Sequence, residues 1–210
     1  MSTVEKIFAE KLLKVKAIKL QPEQPFTWAS GWKSPFYCDN RKTLAFPALR
    51  TFVKLQLSRI VAELYPEADA IAGVATGAIA QGALVADELA LPFAYVRSNP
   101  KDHGMANLIE GDLQPGMKVV VVEDLISTGG SSLKAVEALR QHGCEVLGMV
   151  AAYTYGFPVA EEAFAAAGVT LTTLTNYEAV VETALQTGYI EQSHVPMLAA
   201  WRKDPANWMK

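Results

Sequence analysis

The sequence predicts an α/β fold: an open, mainly parallel twisted sheet flanked by helices, with a small N-terminal hood. Three observations lead to this prediction. From residue 68 onwards, short apolar segments alternate with amphipathic helical segments. The apolar segments are continuously apolar, which is typical of parallel strands covered on both faces. Residues 18–40 instead mix aromatic side chains with Ser-Gly and Ser-Pro turn signals.

The first third of the chain predicts two helices, one on either side of that aromatic segment. Ser2 or Thr3 can cap the first helix, and Pro47 suits the first turn of the second. Apolar residues recur at helical spacing in both helices. The segment between them predicts a hairpin or hood.

The alternating part of the chain predicts five strands and four helices. Strands are expected at 68–75, 92–97, 118–124, 145–155 and 170–176, and helices at 77–90, 130–143, 158–168 and 176–188. Residues 98–112 are polar, contain glycine and predict a long loop. The expected organisation is therefore N-terminal helices and a hood (1–66), a ligand-binding α/β core (67–190) and a C-terminal tail packed on that core (191–210).

The composition excludes several classes of protein. The 210 residues carry a net charge of −3, which gives no general attraction for nucleic acid or anionic lipid. Cys38 and Cys144 are too few for a disulfide framework or a zinc site. No apolar run reaches membrane-spanning length, and the first residues lack the apolar centre of a signal peptide. We expect a cytoplasmic protein without nucleic-acid or membrane partners.

The clearest chemical signal is the stretch VVVVEDLISTGGSS, residues 119–132. It predicts a buried strand that ends in two carboxylates and continues into a loop at the start of a helix. Such a loop offers backbone N–H groups and the partial positive charge of a helix N-terminus. Gly129 and Gly130 permit positive φ and the close approach of an anion. The loop also offers the hydroxyls of Ser127, Thr128, Ser131 and Ser132. Because ligands of open α/β sheets bind at the carboxyl ends of strands, this stretch predicts a phosphate site.

Glu123 and Asp124 indicate which phosphate ligand fits. Two carboxylates would repel a phosphate unless they face another part of the same molecule. A ribose 5-phosphate satisfies both groups, because its 2- and 3-hydroxyls can donate to the acids while its phosphate occupies the loop. The alternative interpretation is structural: the acids begin a turn and Ser131 caps a helix. The glycines at 73–82 do not fit the dinucleotide-binding pattern, and no Walker A lysine follows the loop.

Three motifs together resemble the orotate phosphoribosyltransferase family of type I phosphoribosyltransferases. The stretch VVVVEDLISTGGSS resembles the signature that binds phosphoribosyl pyrophosphate (PRPP). YVRSNPKDHGMANLIEG resembles the family's mobile loop, and FTWASGWKSPFYCDNR resembles its orotate-covering segment. The resemblance implies the type I phosphoribosyltransferase fold. It also implies transfer of the 5-phosphoribosyl group from PRPP to orotate, which yields orotidine 5-monophosphate and pyrophosphate in de novo pyrimidine synthesis.

The resemblance also implies residue roles. The expected PRPP-binding residues are Arg97, Lys101, His103, Glu123, Asp124, Leu125, Ile126, Ser127, Thr128, Gly129, Gly130 and Ser131. The expected catalytic residues are Lys101 and His103, at the departing pyrophosphate, and Asp124, at the cationic sugar. The expected orotate-binding residues are Ser127, Lys33, Phe36 and Tyr37. Residues 73–77 are expected to donate backbone N–H groups to the pyrophosphate, the alternative being a tight turn.

The family further implies a cofactor and an assembly. Mg²⁺ is expected to be held mainly by PRPP and water, near Glu123 and Asp124. The assembly is expected to be a homodimer with shared active sites, in which the mobile loop closes over the neighbour's site. Two positions depart from the pattern: Ser98 and Ala29 stand where many relatives carry lysine. Both departures remove positive charge near anionic ligands, so the group that neutralises the orotate carboxylate stays open.

Two other functions fit parts of the pattern. A purine or uracil phosphoribosyltransferase would share the PRPP signature, but the KDHG loop and the FTWASG segment argue against it. A non-catalytic PRPP-sensing regulator would keep the fold, yet it would need neither Lys101 nor His103. Such regulators usually carry an added nucleic-acid-binding element, which this pattern lacks.

Overall fold

The structure is a computed structural model that describes residues 3–28, 31–98 and 108–209. The helices are α1 (Thr3–Lys14), α2 (Pro47–Leu64), α3 (Ile79–Leu89), α4 (Gly130–Gln141), α5 (Pro158–Ala166), α6 (Tyr177–Gln186) and α7 (Val195–Lys203). The strands are β1 (Ile18–Leu20), β2 (Phe26–Thr27), β3 (Lys33–Ser34), β4 (Phe36–Cys38), β5 (Ala70–Val74), β6 (Phe93–Val96), β7 (Ile109–Glu110), β8 (Lys118–Ile126), β9 (Glu145–Thr154) and β10 (Leu171–Asn176). The chain divides into two compact units, residues 46–174 and residues 1–45 with 175–210.

The larger unit is built on a six-stranded sheet in the order β10-β9-β8-β5-β6-β7. Strands β6, β5, β8 and β9 are parallel neighbours, and β7 runs antiparallel to β6 at one edge. The four valines from Val119 to Val122 have no exposed surface. A strand apolar on both faces is stable only where both faces are covered, which is why this one lies centrally. The predicted open, mainly parallel sheet is confirmed.

The smaller unit contains two hairpin-like sheets and an aromatic cluster. Strand β1 pairs antiparallel with β4, and β2 with β3. Trp201 of α7 is fully buried and stacks on Phe36, with ring centroids 6.2 Å apart. Tyr177 packs on both rings, and its hydroxyl donates to the Leu198 carbonyl at 2.9 Å. Phe36, one of the aromatic residues expected in a hood, thus belongs to the hydrophobic core of this unit.

The organisation differs from the expected one in three respects. Helix α2 belongs to the larger unit, because it packs on α3 and β9. Helix α6 and the C-terminal tail belong to the smaller unit, where α6 packs on α1. Residues 98–112 were expected to be loop throughout, but Ile109 and Glu110 form β7 because they pair with Val96 and Tyr95.

No helix in the described ranges combines the length and the apolarity needed to cross a membrane.

Candidate active site

The two acids lie inside β8, near its carboxyl end. The strand was expected to stop at Asp124, but its backbone continues to pair with β9 through Ile126 and Thr154. On the other side, pairing with β5 ends at Gly73 and Val122. Beyond that point β8 faces the turn that follows β5. The acids therefore lie where one neighbouring strand has ended.

Glu123 is held from two sides and is 4% exposed. One carboxylate oxygen accepts the Ser132 hydroxyl at 2.8 Å, and the other accepts the Asp124 backbone N–H at 2.8 Å. Burial, followed by the charge of Asp124, raises the pKa of Glu123 well above its ordinary value, while the hydrogen bond from Ser132 lowers it. Two donors on the carboxylate stabilise its ionised form in an otherwise unfavourable place.

Asp124 is half-buried and faces the segment that joins β5 to α3. A methyl group built on Gly77 would meet its whole carboxyl group, with Oδ1 at 2.6 Å and the other two atoms nearer still. Only glycine leaves room for this carboxylate. The segment was expected to be a pyrophosphate loop, and its backbone lies directly beside one of the two acids.

The predicted phosphate loop leads from β8 into α4. Gly129 precedes the helix with φ of 80°, so the prediction of a positive φ is confirmed for this glycine. Gly130 does not have a positive φ. The N–H groups of the first helical turn have no partner within a helix, so they point out at this end. Ser127 is half-buried, and Thr128 and Ser131 are exposed. This combination of amides and hydroxyls suits an anion.

Three residues that were expected to face a ligand instead contact other parts of the protein. Ile126 is fully buried, so its side chain belongs to the core and only its backbone can face a ligand. Leu125 is half-buried and pairs with Tyr153 on β9. Ser132 was grouped with the loop hydroxyls, but it is 1% exposed and its hydroxyl is directed at Glu123.

A cavity of about 570 Å³ lies between α4 and the carboxyl ends of β5 and β6. Its polar lining includes Arg97, Ser98, Ser131, Lys134 and one acid, Glu137. The strand-end arginine and the start of α4 thus line the same cavity. Arg97 and Lys134 are cationic, and the acid Glu137 on the same wall and the ion pair of Arg97 with Glu110 partly offset their charge.

Arg97 is oriented by its neighbouring strand. Its guanidinium donates to the Glu110 carboxylate at 3.3 Å, and its backbone N–H donates to the Leu108 carbonyl at 2.8 Å. Glu110 lies opposite Tyr95, so the antiparallel pairing of β6 with β7 sets this contact.

The residues expected to bind orotate on the smaller unit fall into two groups. Lys33 is exposed and donates to the Thr27 hydroxyl at 2.8 Å, and Tyr37 is half-buried, 5.4 Å from the Phe26 ring. Phe36, in contrast, has no exposed surface and lies in the Trp201 cluster. A ring without exposed surface cannot cover a substrate, so the expectation for Phe36 is corrected to a packing role. Tyr37 is the aromatic candidate that this segment offers.

Four positions named above fall outside the described residues: Ser2, Ala29, Lys101 and His103. Two described residues, Glu110 and Lys134, were not predicted to matter at the site, and Ser132 was predicted only as a loop hydroxyl and not as a partner of Glu123. Ser132 binds Glu123, Glu110 binds Arg97, and Lys134 lines the cavity beside Ser98. A signal existed for Ser132, because it begins the buried stripe of α4 at spacings of three, four and seven residues.

Comparison with known proteins gives a consistent assignment. The chain matches the model of the phosphoribosyl transferase domain over residues 53–187. It is 76% identical to the orotate phosphoribosyltransferase of Phocaeicola vulgatus over 208 residues, which are 99% of this chain and 98% of the relative. It resembles the crystal structure of orotate phosphoribosyltransferase from Aeropyrum pernix with a TM-score of 0.77 at 30% identity, over 88% of this chain and 99% of that one.

The orotate phosphoribosyltransferase of Mycobacterium tuberculosis, solved in complex with PRPP, shares the fold with a TM-score of 0.65 at 23% identity, over 84% of this chain and 98% of that one. The family model covers the six-stranded sheet, Glu123 and Asp124, and the loop of residues 127–131 that leads into α4. The chain belongs to the phosphoribosyl transferase family and, within it, to the orotate phosphoribosyltransferases.

Proposed function

We propose that this protein transfers the 5-phosphoribosyl group from PRPP to orotate, releasing orotidine 5-monophosphate and pyrophosphate. The observation that carries the proposal is the pair Glu123 and Asp124 beside an anion loop, at the carboxyl end of the central strand. Sequence identity to orotate phosphoribosyltransferases over nearly the whole chain supports the same reaction.

The sugar phosphate is recognised at both of its polar ends. The 5-phosphate lies in the loop of residues 127–131, where amides at the start of α4 donate to its oxygens. The 2- and 3-hydroxyls donate to the carboxylates of Asp124 and Glu123. The acids then lie close to the ring that gains positive charge as the bond to pyrophosphate breaks, and Asp124 stabilises that charge.

The departing pyrophosphate needs positive charge and hydrogen-bond donors. The C1–O bond breaks with its electron pair remaining on pyrophosphate, so negative charge grows on that group. Backbone N–H groups of the 73–77 segment and the guanidinium of Arg97 are proposed to stabilise that charge. Within the segment the Ala75 N–H already donates to the Val96 carbonyl at 2.8 Å, and Gly73 and Val74 belong to β5, so the donors proposed are those of Thr76 and Gly77. Lys101 and His103 are proposed to add a cation and a donor at the same point.

Orotate supplies the electron pair for the new bond. Its N1 is acidic, so the N1 proton passes to water or to the departing pyrophosphate without a strong general base, and N1 bonds to C1 as the C1–O bond breaks. Lys33 is the described cation proposed for the orotate carboxylate, with Tyr37 against the ring and Ser127 as a further contact. Water exclusion on closure of the site would protect PRPP from hydrolysis.

The site suits a Mg²⁺ ion that is coordinated jointly by the substrate and the protein. The described residues contain no cluster of three ligating side chains, so they form no protein cage for the ion. Two neighbouring carboxylates are hard oxygen donors of the kind that Mg²⁺ takes together with phosphate oxygens and water. PRPP and water would supply most of its ligands, with Asp124 and Glu123 beside it, and the ion would neutralise charge on the pyrophosphate.

A homodimer with shared sites completes the proposal. In this arrangement the segment containing Lys101 and His103 serves the PRPP bound by the partner subunit, as the family resemblance implies. The support here is indirect, since it rests on the YVRSNPKDHG motif in the sequence.

The test is a direct assay of orotate consumption. The purified protein is mixed with PRPP, Mg²⁺ and orotate, and the loss of orotate absorbance is followed, with parallel reactions on hypoxanthine, adenine and uracil. We expect turnover of orotate alone, and none after chelation of Mg²⁺. If the protein consumed another base but not orotate, the proposed substrate would be wrong. If it bound PRPP but consumed no base, a regulatory function would be favoured.

A further inference from the structure

The hydrogen bond between Ser132 and Glu123 suggests a role for a residue that the proposed reaction has not used. Ser132 lies in the first turn of α4, nine residues after Glu123 in the chain, and both side chains are buried. The contact is 2.8 Å long and joins a helix to the end of the central strand. We propose that Ser132 is a positioning residue of the sugar site, which holds the Glu123 carboxylate in the orientation that accepts a ribose hydroxyl. This inference rests on the proposed function.

Both carboxylate oxygens of Glu123 accept hydrogen bonds from within the protein. Oε2 accepts the Ser132 hydroxyl, and Oε1 accepts the Asp124 N–H. The Glu123 carboxylate has four lone pairs, and the Asp124 side chain also forms a hydrogen bond with it, so these three contacts leave one acceptor position for a substrate hydroxyl. With both oxygens fixed, the carboxylate cannot rotate about its terminal bond. The donor that fixes Oε1 belongs to the backbone of Asp124, so the two acids are oriented together.

Removing the Ser132 hydroxyl would leave a buried carboxylate with a single donor. Oε2 would then have no donor to fix it, and the carboxylate would be free to turn away from the orientation that Ser132 and the Asp124 N–H impose together. This change removes an acceptor from the sugar site, and the loss is transmitted through Glu123. Ser132 itself touches no substrate in this account.

A packing role is the competing explanation, and Ser132→Cys separates the two. Cysteine nearly preserves the volume of the side chain but is a weak donor. If the hydroxyl matters as a donor, Ser132→Ala and Ser132→Cys should both raise KM for PRPP about tenfold, as loss of a hydrogen bond to a charged group does, while kcat changes less. If Ser132 only fills space, the cysteine variant should match the parent.

Ser58 offers a matched control. It is a buried serine on α2 whose hydroxyl has no hydrogen-bond partner within the described part of the chain. Ser58→Ala should leave KM for PRPP unchanged.

A double-mutant cycle with Glu123→Gln tests whether Ser132 acts through Glu123. In that background the charge-assisted bond is already lost, so Ser132→Ala should raise KM no more than about twofold. The same variants are compared for PRPP binding by calorimetry without orotate, where we expect the same order of affinities.

The outcomes separate this inference from the proposed reaction. An active parent whose Ser132→Ala variant keeps the parental KM and PRPP affinity would overturn the inference alone. So would a tenfold effect of Ser132→Ala that persists in the Glu123→Gln background. A parent that binds PRPP but does not consume orotate would overturn the proposed reaction, and calorimetry would still decide the role of Ser132.

Discussion

Gly77→Ala tests the placement of Asp124 most sharply. The added methyl group would lie 2.6 Å from Oδ1 of Asp124 and closer to the rest of its carboxyl group. Ordinary contact between non-bonded heavy atoms is about 3.5 Å, so the carboxylate must retreat by about 1 Å. Asp124 can make this movement because its carboxyl group is the end of a half-buried side chain. Gly77 has no positive φ, so alanine brings no backbone strain of its own.

We expect Gly77→Ala to lower the catalytic rate. A displacement of about 1 Å at a reacting centre costs about 100-fold in rate, which corresponds to about 2.7 kcal/mol of transition-state stabilisation. We therefore expect kcat/KM for PRPP to fall about 100-fold in Gly77→Ala. The assay is the initial rate of orotate consumption over a range of PRPP concentrations, with thermal unfolding measured on the same preparation.

Gly168→Ala is the matched control for a general loss of stability. Gly168 follows α5 with φ of 61°, and no heavy atom lies within 4 Å of a methyl group placed there. Alanine in this left-handed conformation costs about 1 kcal/mol, so Tm should fall while kcat/KM stays parental. The reasoning about Asp124 is refuted if Gly77→Ala keeps kcat/KM within threefold of the parent.

Three further predictions concern charge, packing and assembly. Because burial and Asp124 raise the pKa of Glu123, the folded state binds its proton more tightly than the unfolded chain, and ionisation costs stability as pH rises above 4.5. Glu123→Gln should therefore raise Tm relative to the parent at pH 8 but not at pH 4. If the variant and the parent had equal Tm values at pH 8, this prediction would be wrong. Trp201→Ala, at a fully buried ring, should lower the free energy of unfolding by about 3–5 kcal/mol in denaturant titrations, whereas Tyr189→Ala, at a ring that is 39% exposed, should cost about 1 kcal/mol or less. Mixing inactive Lys101→Ala and Asp124→Ala subunits should restore part of the orotate turnover through hybrid sites, and heterodimers without activity would contradict shared sites.

Much of the larger unit was predictable from sequence because its signals are local. Continuous apolar runs give parallel strands, and the residues from Glu123 to Gly130 carry their chemistry in consecutive positions. The turn at Gly129 and the start of α4 follow from residue types with strong backbone preferences. Sequence sufficed where neighbours along the chain determine the structure.

The features that were missed depend on residues distant in the chain. Phe36 is buried by Trp201, which lies 165 positions away, so its aromatic character alone could not separate lid from core. Strand β7 is two residues long and exists only because β6 offers it an edge. The division of the chain follows the packing of α6 on α1, which joins the two ends of the sequence.

The central claim is that the hydroxyls of a ribose 5-phosphate meet the acids at the tip of β8. The most direct test compares the binding of ribose 5-phosphate and of its 2,3-dideoxy analogue by calorimetry, in the parent and in Asp124→Ala. We expect the parent protein to prefer the natural sugar by about tenfold or more and Asp124→Ala to lose most of this preference. Equal affinity of the parent protein for the two sugars would contradict it.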